Sequence, residues 1–163
     1  MAKKRFPYRS AIVACNGGCR ANKYVAERCV YGCIGCEQCV IACKFGAISI
    51  NHLGIAEIDE NKCIACGRCI SYCPQNLIRI HDQANSIVVK CANRDKGKDA
   101  RQVCQVSCIG CGICQKVCTA GAVSITDNLA VIDEGLCLSC GMCAVACPRN
   151  VIRDLHGIIT DLY

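Results

Sequence analysis

Sixteen of the 21 cysteines in this 163-residue chain fall into four runs of one spacing, C-x2-C-x2-C-x3-C. They are Cys33, Cys36, Cys39 and Cys43; Cys63, Cys66, Cys69 and Cys73; Cys108, Cys111, Cys114 and Cys118; and Cys137, Cys140, Cys143 and Cys147. Three thiolates in one short loop and a fourth one turn later suit a cubane 4Fe-4S cluster, which is held by four cysteine sulfurs. Structural zinc uses separated C-x2-C or Cys/His pairs, so the third and fourth cysteine of every run argue against it. Catalysis at a cluster needs an iron without a protein ligand, and each run supplies a full set. The sequence therefore predicts four 4Fe-4S clusters, one-electron chemistry and no catalytic residue.

Short elements must position these loops. The first two runs start 30 residues apart and the last two 29 apart, and the first pair maps onto the second at an offset of 75 or 74. Such self-similarity marks a tandem repeat of a two-run unit. Within each unit, period-2 alternation over 47–50 and 55–58, and over 122–125 and 129–132, predicts a short hairpin. Small and apolar residues after each third cysteine, such as Val40, Ile41 and Ala42, predict one or two helical turns carrying the fourth. The expected fold is α+β: two tandem ferredoxin-like modules of the bacterial two-cluster type, small and cluster-stabilised. The expected boundaries are an N-terminal segment 1–29, a first module 30–85, a connector 86–104 and a second module 105–163.

In the two-cluster ferredoxin layout that each unit resembles, the fourth cysteine of a run ligates the other cluster of its module. This implies Cys33, Cys36, Cys39 and Cys73 for cluster 1, and Cys63, Cys66, Cys69 and Cys43 for cluster 2. Cluster 3 takes Cys108, Cys111, Cys114 and Cys147, and cluster 4 takes Cys137, Cys140, Cys143 and Cys118. Pro74 and Pro148 follow the fourth cysteine, while Lys44 and Thr119 stand there in the other two runs.

Five cysteines remain: Cys15, Cys19, Cys29, Cys91 and Cys104. Cys15 and Cys91 each follow Val-x, and Cys29 and Cys104 each stand four residues before a run, so Cys15/Cys29 and Cys91/Cys104 are equivalent pairs. Buried thiols or a reversible disulfide in each repeat are favoured over a fifth cluster, whose ligands would have to be gathered from different repeats. Cys19 has no cysteine equivalent in the second repeat.

Cysteine is about 13% of the chain, so the 53% apolar content leaves about 40% ordinary hydrophobes, with no Trp and two Phe. Modules this small bury little core, so metal binding must supply folding free energy. The odd cysteine count, the lack of an apolar signal core after MAKKRFPYRS and the lack of an 18-residue apolar run predict a cytoplasmic protein with no membrane span. The formal charge of +6 falls to about −2 once four clusters at about −2 each are counted. That makes it poor evidence for nucleic-acid binding, and the sparse aromatics Tyr24, Tyr31, Phe45 and Tyr72 suit shielding of clusters better than base stacking. No glycine-rich strand-to-helix nucleotide motif is present. His52, His81 and His156 read as surface residues, and NRDKGKDARQ at 93–102 as an exposed polar loop between modules, favoured over a docking site in which Arg94, Lys96, Lys98 and Arg101 meet an acidic redox partner.

A nearby cation favours the more negative, reduced state of a cluster. Lys44, Lys62 and Arg68 flank cluster 2, Lys116 and Arg149 lie near cluster 3, Glu37 sits inside the first run, and the fourth run holds no base. Cluster 2 is expected to be reduced first and cluster 3 next.

Finally, VACNGGC at 13–19, YGCIGC at 31–36, VVKCANRDKGKDA at 88–100 and CIGCGIC at 108–114 resemble the polyferredoxin part of the iron-sulfur (B) subunit of Rnf-type ferredoxin:NAD oxidoreductase complexes. That resemblance implies an iron-sulfur protein relaying electrons from reduced ferredoxin, or another low-potential donor, to flavoprotein or other oxidoreductase subunits. It would sit at the inner face of the membrane through those partners. A freely diffusing multi-cluster ferredoxin and a cysteine-pair redox sensor are the alternatives. Four clusters in two fused modules favour the fixed relay, because they offer separate points of electron uptake and exit.

Overall fold

The computed structural model describes residues 8–21 and 29–157. In chain order the first half carries β1 (Arg9–Val13), α1 (Gly18–Ala21), α2 (Gln38–Ala42), β2 (Ile48–Ile50), β3 (Ala56–Ile58), α3 (Arg68–Ser71) and β4 (Ile78–Asp82). The second carries β5 (Ile87–Val89), α4 (Gly97–Val103), α5 (Ile113–Val117), β6 (Val123–Thr126), β7 (Leu129–Ile132), α6 (Met142–Val145) and β8 (Ile152–Asp154).

The strands form four antiparallel pairs, β1 with β4, β2 with β3, β5 with β8, and β6 with β7. The two predicted hairpins are present as β2/β3, with Ile48 opposite Ile58, and β6/β7, with Val123 opposite Ile132. The second closes through Asp127 and Asn128, both at positive φ (48° and 62°), a two-residue turn whose twist matches the strands. In the first, the Asn51 side chain accepts the N–H groups of Leu53 (3.0 Å) and Ile55 (3.3 Å).

The other two pairs close each module from its ends. Arg9 lies opposite Asp82 and Ile87 opposite Asp154. β1 therefore belongs to the core of the first module although it lies within segment 1–29. β5 belongs to the core of the second although it lies within stretch 86–104. Part of the polar stretch is also helical: Asn93 and Ala100 are fully buried, and the Ser107 hydroxyl donates to Ala100 O at 2.7 Å. Arg94, Lys96, Lys98, Asp99, Arg101 and Gln102 are exposed as expected, but the stretch is not a plain loop, since Asn93 turns its polar atoms inward, where Oδ1 accepts Asp95 N–H at 2.7 Å. Arg94 pairs with Asp127 at 3.0 Å.

The surface reading of His81 also fails. Its side chain is 0% exposed and bridges the modules, with Nδ1 2.9 Å from Glu134 Oε1 and Nε2 against Asn85 O. Arg79 donates to the same carboxylate at 2.6 Å, and Asn85 Nδ2 donates to Glu134 O at 3.1 Å. Burial raises the Glu134 carboxyl, but the hydrogen bonds from His81 and Arg79 outweigh it and hold the group below its ordinary range. Tyr24, one of the aromatics expected to shield clusters, lies outside the described residues.

Candidate metal centres

Each run folds the same way. Its third cysteine lies on a helix of four or five residues, and the residue before that helix is left-handed: Gly67, Gly112 and Gly141 at φ 76°, 72° and 73°. Glu37 holds that place in the first run at φ 60°. The reversal lets the first three cysteines face one point, and the helix then presents its fourth cysteine to a different one.

Three cavities show the result. Cys33, Cys36, Cys39 and Cys73 line one of about 360 Å³. Cys43, Cys63, Cys66 and Cys69 line another of about 330 Å³, and Cys108, Cys111, Cys114 and Cys147 a third of about 340 Å³. For the fourth quartet, the thiols around Cys143 are Cys137, Cys114 of the neighbouring quartet and Cys118. The fourth cysteine of each run is thus brought to the loop of the other run in its module.

Within each run the third cysteine is buried and the second exposed: Cys39, Cys69, Cys114 and Cys143 against Cys36, Cys66, Cys111 and Cys140. Burial first, and then crowding by neighbouring thiols, raises Cys39 and pushes Cys69, Cys114 and Cys143 up to about 11. Thiols that resist ionisation together lose their protons to solvent when a cation binds and neutralises the resulting thiolates. Backbone N–H groups are already aimed at the sulfurs. Ala11 donates to Cys63 at 3.3 Å, and Ala130, Val151, Ala47 and Leu77 donate to Cys108, Cys147, Cys43 and Cys73 at 3.4 Å. Among the described residues, no group of three or more His, Cys, Asp or Glu is placed to hold a single metal ion. Four sulfurs standing around one common space fit a multi-iron cluster, whose own bulk occupies the centre.

Charge around these cavities is unequal. Arg68 lines the cavity of the second quartet, Glu37 that of the first and Arg149 that of the third. Lys62 is partly neutralised by Asp59 at 3.2 Å, which leaves Arg68 as the more effective cation at the second. Phe45 also lines the second cavity. All 21 cysteines are free thiols, so of the two alternatives for Cys15/Cys29 and Cys91/Cys104, thiols or a reversible disulfide, the structure shows the thiols. No helix among the described residues is long and apolar enough to cross a membrane.

Known proteins share this arrangement. Families described as the 4Fe-4S dicluster domain match residues 32–77 and 62–122, and residues 107–152. The B subunit of the ion-translocating oxidoreductase complex of Methanosarcina acetivorans is 43% identical over 124 residues, 76% of this chain and 47% of that protein. The B subunit of the Na(+)-translocating ferredoxin:NAD(+) oxidoreductase complex of Acetobacterium woodii is 38% identical over 144 residues, 88% of this chain and 41% of that one. Ferredoxin-3 of Rhodobacter capsulatus is 29% identical over 87 residues, 48% of this chain and 86% of that protein. The chain spans less than half the length of the two relatives from ion-translocating complexes. Two dicluster domains imply four 4Fe-4S clusters and make the chain an electron-transfer iron-sulfur protein. By its sequence matches and by its paired cysteine loops, this chain belongs to the 4Fe-4S dicluster domain family, which it carries twice in tandem.

Proposed function

We propose that this chain is the electron-relay component of a larger oxidoreductase complex, accepting electrons from reduced ferredoxin or another low-potential donor and passing them to a flavoprotein or other redox partner. The observation that carries this reading is that three quartets of cysteines each line one cavity, with Cys137 and Cys118 among the thiols beside Cys143 in the fourth. Every iron would then have its protein ligand, leaving no position for substrate. We assign Cys33, Cys36, Cys39 and Cys73; Cys63, Cys66, Cys69 and Cys43; Cys108, Cys111, Cys114 and Cys147; and Cys137, Cys140, Cys143 and Cys118 as the ligand sets.

A bound 4Fe-4S cluster supplies a one-electron site whose potential follows net charge, hydrogen bonding to sulfur and exposure. The chain sets all three. Its buried third cysteines exclude water from one side of each site, its backbone amides stabilise added negative charge, and its exposed second cysteines give a partner one close approach to each site. The similarity to components of ion-translocating complexes supports a place at the cytoplasmic face of a membrane, reached through partner proteins.

Anaerobic mixing with reduced ferredoxin tests the reading. Rapid bleaching of the visible iron-sulfur absorbance, restored by an oxidised flavoprotein partner, is expected. A chain that reduced ferredoxin leaves oxidised, while a small chemical reductant bleaches it, would sink the relay proposal.

A further inference from the structure

The five cysteines outside the runs converge on one place. Cys15, Cys19, Cys29, Cys91 and Cys104 line a single cavity, as each of three quartets does. Both modules contribute to it.

The hydrogen bonding there repeats the duplication. Cys33 N–H donates to Cys15 Sγ and Cys108 N–H to Cys91 Sγ, each at 3.4 Å, and Cys33 and Cys108 open equivalent runs. Cys15, Cys29, Cys91 and Cys104 each also accept the backbone N–H two residues on, from Gly17, Tyr31, Asn93 and Val106. Cys137, in the fourth run, accepts Ser139 N–H in the same way at 3.4 Å. Asn93 Nδ2 adds a further donor to Cys29 Sγ at 3.4 Å. Burial raises Cys15, Cys29 and Cys91, and Cys104 is raised by its hydrogen bond with Cys19 and by burial, so these sulfurs stand as thiols. The amide donors already aimed at them are placed to stabilise thiolates once a cation neutralises the charge. Lys90 lines the same cavity, and burial holds its ammonium below the ordinary lysine range.

Cys19 differs from the other four. At the offset of 76 that relates Cys15 to Cys91, its counterpart is Asp95. Asp95 neighbours Cys29 as Cys19 neighbours Cys104, to which it is hydrogen-bonded. Gly18 keeps this wall thin, since a Cβ there would stand 3.0 Å from Cys104 Sγ and from Val106 N.

We propose that Cys15, Cys29, Cys91 and Cys104 hold a fifth 4Fe-4S cluster between the modules, two ligands from each, with Cys19 as a hydrogen-bonding neighbour of Cys104. Two ferrous and two ferric ions, four sulfides and four thiols assemble the site and release four protons, leaving a net charge of about −2. No electron is gained or lost. The site gives the two modules a shared redox centre, and its existence does not depend on which partners the chain serves.

Iron and acid-labile sulfide in the anaerobically reconstituted full chain test this directly. About twenty of each per chain are expected, against about sixteen if only the runs are filled. The Cys91→Ser/Cys104→Ser double variant, and separately Cys15→Ser, should each lose about four irons, while Cys19→Ser should keep the full count. A wild-type count of about sixteen overturns the fifth site and leaves the quartets standing. So does a serine variant with unchanged iron, and loss of about four irons from Cys19→Ser overturns the ligand set. Because the wild-type count decides alone, a variant that fails to fold does not shield the proposal.

Discussion

Arg68→Glu reverses the cation in the wall of the second quartet's cavity. A unit charge about 8 Å from a cluster, in an effective dielectric of about 40, is worth about 1 kcal/mol, so reversal changes the interaction by about 2 kcal/mol. For one electron, about 1.4 kcal/mol corresponds to about 59 mV, which makes this about 90 mV. Arg68 is exposed, and solvent and salt screen such charges, so about half, roughly 40 mV, should survive at physiological ionic strength. Lys62 remains paired with Asp59 and should not compensate. In an anaerobic redox titration followed by electron paramagnetic resonance, the signal that appears first in the wild type should move to lower potential by about that amount, and by less in high salt. An unmoved first signal, or a shift confined to a later one, refutes the assignment of Arg68 to the first-reduced cluster.

Glu134→Ala removes the acceptor of both Arg79 and buried His81 between the modules, and should cost about 1–2 kcal/mol at neutral pH, read as a lower urea midpoint for loss of cluster absorbance. Because the Glu134 carboxyl lies below its ordinary range when folded, its contribution is present above the unfolded value, near pH ~4.3, and fades as pH falls through the folded one, so variant and wild type should converge in acid. Glu37→Gly relieves a left-handed residue at φ 60° and removes a negative charge from the first cavity. It should slow thermal cluster loss by an amount equivalent to about 1 kcal/mol and raise one reduction potential; faster loss would count against the strain argument. Chelation of the iron should abolish cooperative thermal unfolding by circular dichroism, because cysteines make up much of both cores.

Much of this site is legible in the sequence because ligand spacing is local. Fixed intervals set the loops, and two-residue periodicity set the hairpins at Ile48–Ile50 with Ala56–Ile58 and at Val123–Thr126 with Leu129–Ile132. The strands that close each module are not legible, since Arg9 meets Asp82 and Ile87 meets Asp154 far along the chain, and three-residue Ile87–Val89 has no room for a periodic signal. His81 escapes for a related reason: its partner Glu134 lies in the other module, and nothing local marks a histidine that pairs at such separation. The duplication relates Cys15 to Cys91 and Cys29 to Cys104. Their common cavity emerges only when the modules are packed together, a relation that no spacing encodes. Asn93 gives a faint signal, an Asx-turn residue at the head of a polar stretch, but the composition of that stretch points to solvent.

The most direct test of an electron relay built on complete cysteine quartets is the number of electrons that the anaerobically purified chain accepts in a stoichiometric titration with a low-potential reductant. One per quartet, about four per chain, is predicted, with one more from the site between the modules. Uptake of about two electrons, or none, would contradict the account.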